Sequence, residues 1–107
     1  MPATAESYAR TAYLETHTRG MSPQQVLLQL YDIAIAGCVA RDMRRASAAL
    51  VELIAALDFS YEEIARGLYR LYEYALREVK AERYETPINI LRELRDTWEQ
   101  AFAAMPG

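Results

Sequence analysis

The sequence predicts an all-α protein, an antiparallel up-down four-helix bundle with an extra N-terminal helix or segment. Apolar residues recur at intervals of three and four along most of the chain, and no stretch alternates apolar and polar residues over a strand length. Gly and Pro number only four each, so few positions interrupt a helix. The predicted loops are short, which places consecutive helices antiparallel to their neighbours.

Length and composition indicate one domain over residues 1–107, with residues 1–20 as an N-terminal segment and 21–105 as the bundle. The chain is 52% hydrophobic and 25% charged, which is typical of globular proteins. A net charge of −3, with arginines interspersed among acids, does not favour a nucleic-acid or anionic-membrane interface. With one cysteine, no signal-peptide pattern and no apolar run of membrane-spanning length, we expect a soluble cytoplasmic protein of the cytosol.

The N-terminal segment has a weakly amphipathic pattern from Ala3 to about Thr16. Tyr8 and Tyr13 are its main large apolar residues, and Thr18 to Gly20 form a plausible break after it. We expect an additional helix or segment that caps the bundle or lies along a groove.

The first bundle helix has a complete start signal. Ser22 is suited to the N-cap, Pro23 to the first helical position, and Gln25 to closing a capping box. Its core face is formed by a set of residues with helical spacing: Leu27, Leu30, Tyr31, Ala34, Ile35 and Cys38.

Leu28 and Ile35 form a second apolar stripe on this helix, seven residues apart. So wide an apolar arc indicates either a central position in the bundle or a face that contacts a partner.

The next boundary has two interpretations. Arg41 and Asp42 can form a tight turn, with Asp42 as N-cap of a helix from Met43 to Leu57. Alternatively, one helix runs from Pro23 to Leu57, about 50 Å long, and two chains exchange segments.

Two further helix starts are predicted. Ser60 and Glu63 match a capping box, with a core face along Ile64, Leu68, Leu71, Tyr72, Ala75, Leu76 and Val79. Thr86 and Pro87 match an N-cap and first helical position, and this last helix should end near Ala104.

The residue types do not favour catalysis. His17 is the only histidine and is expected at the surface, while Cys38 has core spacing and lacks a neighbouring base. No glycine-rich phosphate loop or paired acid and base is present. We therefore expect no enzymatic activity, no metal and no cofactor.

Eight tyrosines against two phenylalanines are the compositional anomaly. Tyrosine combines a large apolar ring with a hydroxyl that tolerates water. The surplus suits either a core with hydrated hydroxyls or a protein-binding groove.

Four motifs resemble those of the flagellar export chaperone FliS family, in the same order. The run from Ser22 to Asp32 is similar to Ser-Pro-x-x-Leu-x-Leu-x-Leu-Tyr-Asp, and Glu52 to Asp58 to Glu-Leu-x-x-x-Leu-Asp. Leu68 to Tyr74 resembles Leu-x-x-Leu-Tyr-Asp-Tyr, and Leu94 to Trp98 resembles Leu-Arg-x-x-Trp.

This resemblance implies a cytosolic chaperone that binds the C-terminal region of flagellin, prevents premature polymerisation and assists export. A flagellin-like client and the flagellar export gate are the implied partners, without nucleic acid or membrane insertion. An N-terminal segment with Tyr8 and Tyr13 is expected to cover part of the groove. The candidate groove residues are Tyr13, Leu28, Tyr31, Ile35, Tyr69 and Tyr72.

The alternative is a non-catalytic helical adaptor or self-associating structural module, as a monomer or a segment-exchanged dimer.

The chain departs from the family pattern at several points. Ile33 stands where the family has glycine, and Arg10 where it has a second tyrosine. The chain is also shorter than expected between Asp32 and Glu52 and between Leu76 and Trp98. Both missing stretches would lie at one end of an up-down bundle, so we expect a bundle shortened at that end.

Overall fold

Four α-helices make up the fold of residues 20–105, the part of the chain that the computed structural model describes. Helix α1 spans Pro23–Val39, α2 Met43–Ala55, α3 Glu62–Lys80 and α4 Glu85–Ala104, with a 3₁₀ turn at Phe59–Tyr61 before α3. The all-helical class is confirmed, and residues 20–105 contain no strand. Within this range no helix combines the length and apolarity needed to cross a membrane. The predicted N-terminal segment, with Tyr8, Tyr13 and His17, lies outside the described residues.

The helices enclose one hydrophobic core. Helix α1 packs against α2 and α4, and α3 packs against the same two helices, so the four contacts form a closed ring. Cys38 is buried in this core, as its spacing predicts, and burial raises the pKa of its thiol. The other buried members of the core are Leu30, Tyr31, Ala34, Ala46, Ala49, Leu50, Leu53, Tyr72, Ala75, Val79, Tyr84 and Leu91.

The start of α1 is the predicted capping box. The Ser22 hydroxyl accepts a hydrogen bond from the Gln25 amide at 3.2 Å, and the Gln25 side-chain oxygen accepts one from the Ser22 amide at 2.8 Å. Pro23 occupies the first helical position, where no intrahelical acceptor is available for an N–H. The local sequence alone therefore determines this boundary.

A tight turn separates α1 from α2, so the alternative of a single long helix from Pro23 to Leu57 is wrong. Arg41 adopts a left-handed conformation with φ of 56°. The Asp42 amide donates to the Gly37 carbonyl at 2.8 Å and the Arg41 amide to the Cys38 carbonyl at 3.0 Å, which is a Schellman motif. Asp42 then caps α2 by accepting from the Arg45 amide at 3.1 Å, as predicted.

The turn between α3 and α4 repeats this geometry. Glu82 is left-handed with φ of 60°, and the Arg83 amide donates to the Glu78 carbonyl at 2.9 Å. The Arg41 guanidinium lies 5.4 Å from the centre of the Tyr84 ring, a cation–π contact. The two turns are thus neighbours at one end of the fold.

The predicted capping box at Ser60 is wrong. Asp58, two residues earlier, accepts hydrogen bonds from both the Ser60 amide, at 3.0 Å, and the Ser60 hydroxyl. The Ser60 side chain is therefore occupied in a 3₁₀ turn, and α3 begins at Glu62 after Tyr61, which makes no side-chain cap. An Asx turn competes successfully with the later cap because its residues are closer in sequence.

The start of α4 also differs from the prediction at Thr86. The helix begins at Glu85, and the Ile88 amide donates to the Tyr84 carbonyl at 3.1 Å. Pro87 remains within the first turn, where the missing N–H has no cost. Burial of Tyr84 and Pro87 favours the earlier start, and the helix ends at Ala104 as predicted.

Helices α1 and α2 approach closely where Gly37 faces Ala46. A Cβ added at Gly37 would lie 2.7 Å from the Ala46 nitrogen and 3.0 Å from its Cα, both backbone atoms. Backbone cannot yield as the end of a flexible side chain can. The fold therefore depends on the absence of a side chain at residue 37.

We expect Gly37→Ala to lower the free energy of unfolding by about 1–3 kcal/mol, because the methyl group would separate two packed helices. Chemical denaturation followed by circular dichroism measures this change. Gly67→Ala is the matched control, since Gly67 lies within α3 with no atom near an added Cβ. It should raise stability by about 0.5–1 kcal/mol through helix propensity. Equal effects of the two substitutions would contradict the close packing at Gly37.

Candidate functional site

An apolar cleft lies at the end of the fold that contains the connection between α2 and α3. Its volume is about 250 Å³, and all four helices contribute to it. We call it the apolar cleft; its lining residues are Leu27, Leu53, Ala56, Leu57, Asp58, Tyr61, Ile64, Ala65, Leu68, Tyr72 and Trp98.

Beneath the apolar cleft, aromatic side chains from three helices are joined by hydrogen bonds. The Trp98 indole Nε1 of α4 donates to the Tyr31 hydroxyl of α1 at 3.1 Å. The Tyr31 hydroxyl also forms a hydrogen bond with the Tyr72 hydroxyl of α3, and the two rings lie 6.2 Å apart, tilted by 59°. Both tyrosines are fully buried, so α1, α3 and α4 are held in register by polar contacts inside an apolar environment.

Burial keeps these hydroxyls neutral. Desolvation is the main cause that raises the pKa of Tyr31, and it also raises the pKa of Tyr72, with a further contribution from the nearby Tyr31. Neither group can therefore act as a base near neutral pH. Within residues 20–105, no group of three or more His, Cys, Asp or Glu side chains is arranged to hold a metal ion.

The rim of the apolar cleft is unusually exposed for apolar side chains. Tyr61 is 68% exposed and Ile64 is 62% exposed. Trp98 continues the apolar surface along α4 by stacking on Phe102, with ring centres 5.5 Å apart. An open concave surface of this composition is suited to receiving apolar side chains from another chain.

Ion pairs join α1 to α4 at residues that do not line the apolar cleft. Arg95 of α4 binds both carboxylate oxygens of Asp32 on α1, at 2.6 and 3.3 Å, and also contacts Glu99 at 2.6 Å. These groups hold the pKa of the Arg95 guanidinium above its ordinary value, principally through the bond to Asp32.

The structure separates the groove residues predicted from sequence. Tyr72 lines the apolar cleft from below, and Tyr31 lies behind it in the core. Leu28 and Ile35 are half-buried on α1, and neither lines the cleft. Tyr69 is 41% exposed on α3 and also lies outside it. Of the described candidates, Tyr31 and Tyr72 lie on different helices and are joined by a hydrogen bond.

Sequence reasoning did not select the cleft residues Leu27, Leu57, Leu68 and Trp98 as a site, because each has the spacing of an ordinary core position. Ile64 and Leu71 were expected on the core face of α3, and that placement is wrong, since both are exposed. The seven-residue spacing that selected Leu28 and Ile35 also relates Ile64 to Leu71. Applied to α3, this signal would have identified Ile64 at the rim of the apolar cleft, together with Leu71, which does not line the cleft.

Comparison with protein families gives one match. The family described as "Flagellar protein FliS" matches residues 38–105, well over half of the chain. The matched region contains three of the four motifs discussed above and begins after the Ser22 to Asp32 run. Comparisons with curated proteins and with solved structures give no match.

The buried tyrosine pair predicts a specific loss of stability at alkaline pH. An unfolded tyrosine releases its proton near pH 10, whereas the raised pKa of each folded group retains it. The stabilisation is therefore complete below pH 10 and falls above it, by about 1.4 kcal/mol per pH unit for each tyrosine. Denaturant titrations at pH 8 to 11 measure this slope.

Tyr31→Phe/Tyr72→Phe should be less stable at neutral pH and show a flatter alkaline dependence. Tyr69→Phe, at an exposed position on α3, should leave the slope unchanged. A double variant with the wild-type slope would contradict the assignment of the alkaline transition to this pair.

Proposed function

The chain belongs to the FliS family, a family of flagellar chaperones, and from this premise we propose that it binds the C-terminal region of flagellin or of a flagellin-like client in the cytosol. Binding would cover the surfaces by which client subunits polymerise and would deliver the client for export. We also propose that the helices form an antiparallel up-down bundle. The ring of helix contacts and the short connections at Arg41 and Glu82 support that arrangement.

The apolar cleft is the observation that carries this proposal. A client segment that is unfolded in solution can fold as an amphipathic helix when its apolar face enters a groove of this kind. The exposed Tyr61 and Ile64 at the rim offer apolar area that no part of residues 20–105 covers. Tyr72 and Trp98, fixed by hydrogen bonds, give the client a rigid floor.

The other candidate residues extend the proposed surface. Leu28 is half-buried on α1 and is not among the side chains that pack against the core. Tyr69 leaves a large ring at the surface of α3. We propose that a client longer than one helix contacts these positions after occupying the apolar cleft.

The N-terminal segment is proposed to compete with the client. Leu27, in the second turn of α1, lines the apolar cleft, so residues 1–19 join the fold at the same end. A segment carrying Tyr8 and Tyr13 is therefore attached close to the proposed client site. Its local concentration there would be high because it is part of the same chain.

We expect Ile64→Gln to weaken binding of a synthetic flagellin C-terminal peptide about fivefold to tenfold, because the substitution removes apolar area at the rim. Isothermal titration calorimetry on the full chain measures this change. Val39→Gln is the matched control, since Val39 is 58% exposed at the far end of α1. Lack of peptide binding by the folded wild type would contradict the proposed function, and equal weakening by both variants would contradict the cleft as its site.

Deletion of residues 1–19 should tighten binding of the same peptide several-fold, because a competing segment would be removed. The folded state is checked by circular dichroism before titration. An unchanged or weaker affinity in the folded deletion variant would contradict competition by the N-terminal segment. It would not bear on the apolar cleft as the client site, which the Ile64→Gln variant tests.

A further inference from the structure

A second groove lies between α2 and α3, at the end of the fold opposite the apolar cleft. Its volume is about 470 Å³, and it begins at the Arg41 turn and runs along α2 as far as Val51. We call it the basic groove; its lining residues are Asp42, Arg44, Arg45, Ser47, Ala48, Val51, Leu76 and Lys80.

The charge of the basic groove is opposite to that of the chain. The whole sequence carries a net charge of −3, yet Arg44, Arg45 and Lys80 supply three cations here against one carboxylate. That carboxylate, Asp42, is committed to capping α2 through the Arg45 amide. Within residues 20–105, none of the three cations forms an ion pair, which is also true of Arg41, Arg70, Arg77 and Arg92; what distinguishes the groove is that three cations line it together.

The groove also has an apolar component that a simple anion would leave unused. Val51 is exposed on α2, and Leu76 and Ala48 are half-buried on either side of the groove. Cations beside an apolar strip match a peptide that presents carboxylates beside an apolar side chain. Free phosphate matches the cations alone.

We propose that the basic groove binds an acidic amphipathic peptide segment of a partner protein, with carboxylates at Arg44, Arg45 and Lys80 and an apolar side chain against Val51 and Leu76. The site is separate from the apolar cleft and does not depend on client binding there. It gives the fold a second docking surface, basic where the first is apolar, at the end opposite the apolar cleft.

The test uses the ¹⁵N-labelled full chain and a synthetic peptide of about four helical turns that repeats Glu-Glu-Leu-Ala. Amide shift changes on titration should cluster at residues 44–51 and 76–80. A peptide with Gln in place of every Glu should produce no saturable change, and added salt should weaken the acidic peptide because its contacts are ionic. Absence of saturation by the acidic peptide at millimolar concentration, or equal binding of the Gln peptide, would overturn the proposal.

Charge reversal identifies the site. Arg44→Glu/Arg45→Glu should weaken the acidic peptide about tenfold or more, since like charges would face each other in the groove. The variant should fold, because acidic residues are favourable in the first turn of a helix. Arg70→Glu/Arg92→Glu, which makes the same change of charge on α3 and α4 outside the groove, should bind almost normally. Equal losses from the two variants would assign binding to overall charge and overturn the site.

Saturable phosphate binding that displaces the peptide completely without shift changes at Val51 would replace the peptide proposal with a simple anion site.

Discussion

The left-handed conformation of Arg41 determines that this chain folds back on itself. Helix α1 ends there although neither glycine nor proline stands at the turn. The two Schellman hydrogen bonds and the Asp42 cap compensate for a conformation that non-glycine residues adopt at some cost. Once α2 is reversed, the close contact between Gly37 and Ala46 sets the spacing of the first helix pair. Residues of this pair contribute to the core, the apolar cleft and the basic groove.

Sequence patterns predicted the helices well where a boundary is determined by neighbouring residues. The Ser22 capping box and the Asp42 cap were correct because each needs only a few adjacent side chains. Ser60 and Thr86 carried equally good local signals, yet Asp58 in one case and burial of Tyr84 in the other moved the boundary. Local rules identify which residues are able to cap a helix, while competition among neighbours and tertiary burial decides which of them does.

The candidate site was harder to predict because its residues resemble core residues in sequence. Leu27, Leu68 and Trp98 have core spacing, and only the three-dimensional arrangement leaves an opening between them. The tyrosine surplus reflects two different roles, which different tyrosines fill. Tyr31 and Tyr72 place hydrogen-bonded hydroxyls in the core, and Tyr61 and Tyr69 leave rings at the surface. Composition revealed the surplus but could not assign individual tyrosines to either role.

The cation–π contact between Arg41 and Tyr84 joins the α1–α2 turn to the α3–α4 turn. Each turn contains one left-handed residue, Arg41 in the first and Glu82 in the second. A lengthening of α1 and α2 alone would carry Arg41 away and leave the aromatic face of Tyr84 without its cover. The length of the α1–α2 pair is therefore constrained by that of the α3–α4 pair. A change in helix length that keeps the Arg41–Tyr84 contact would have to occur in both pairs together.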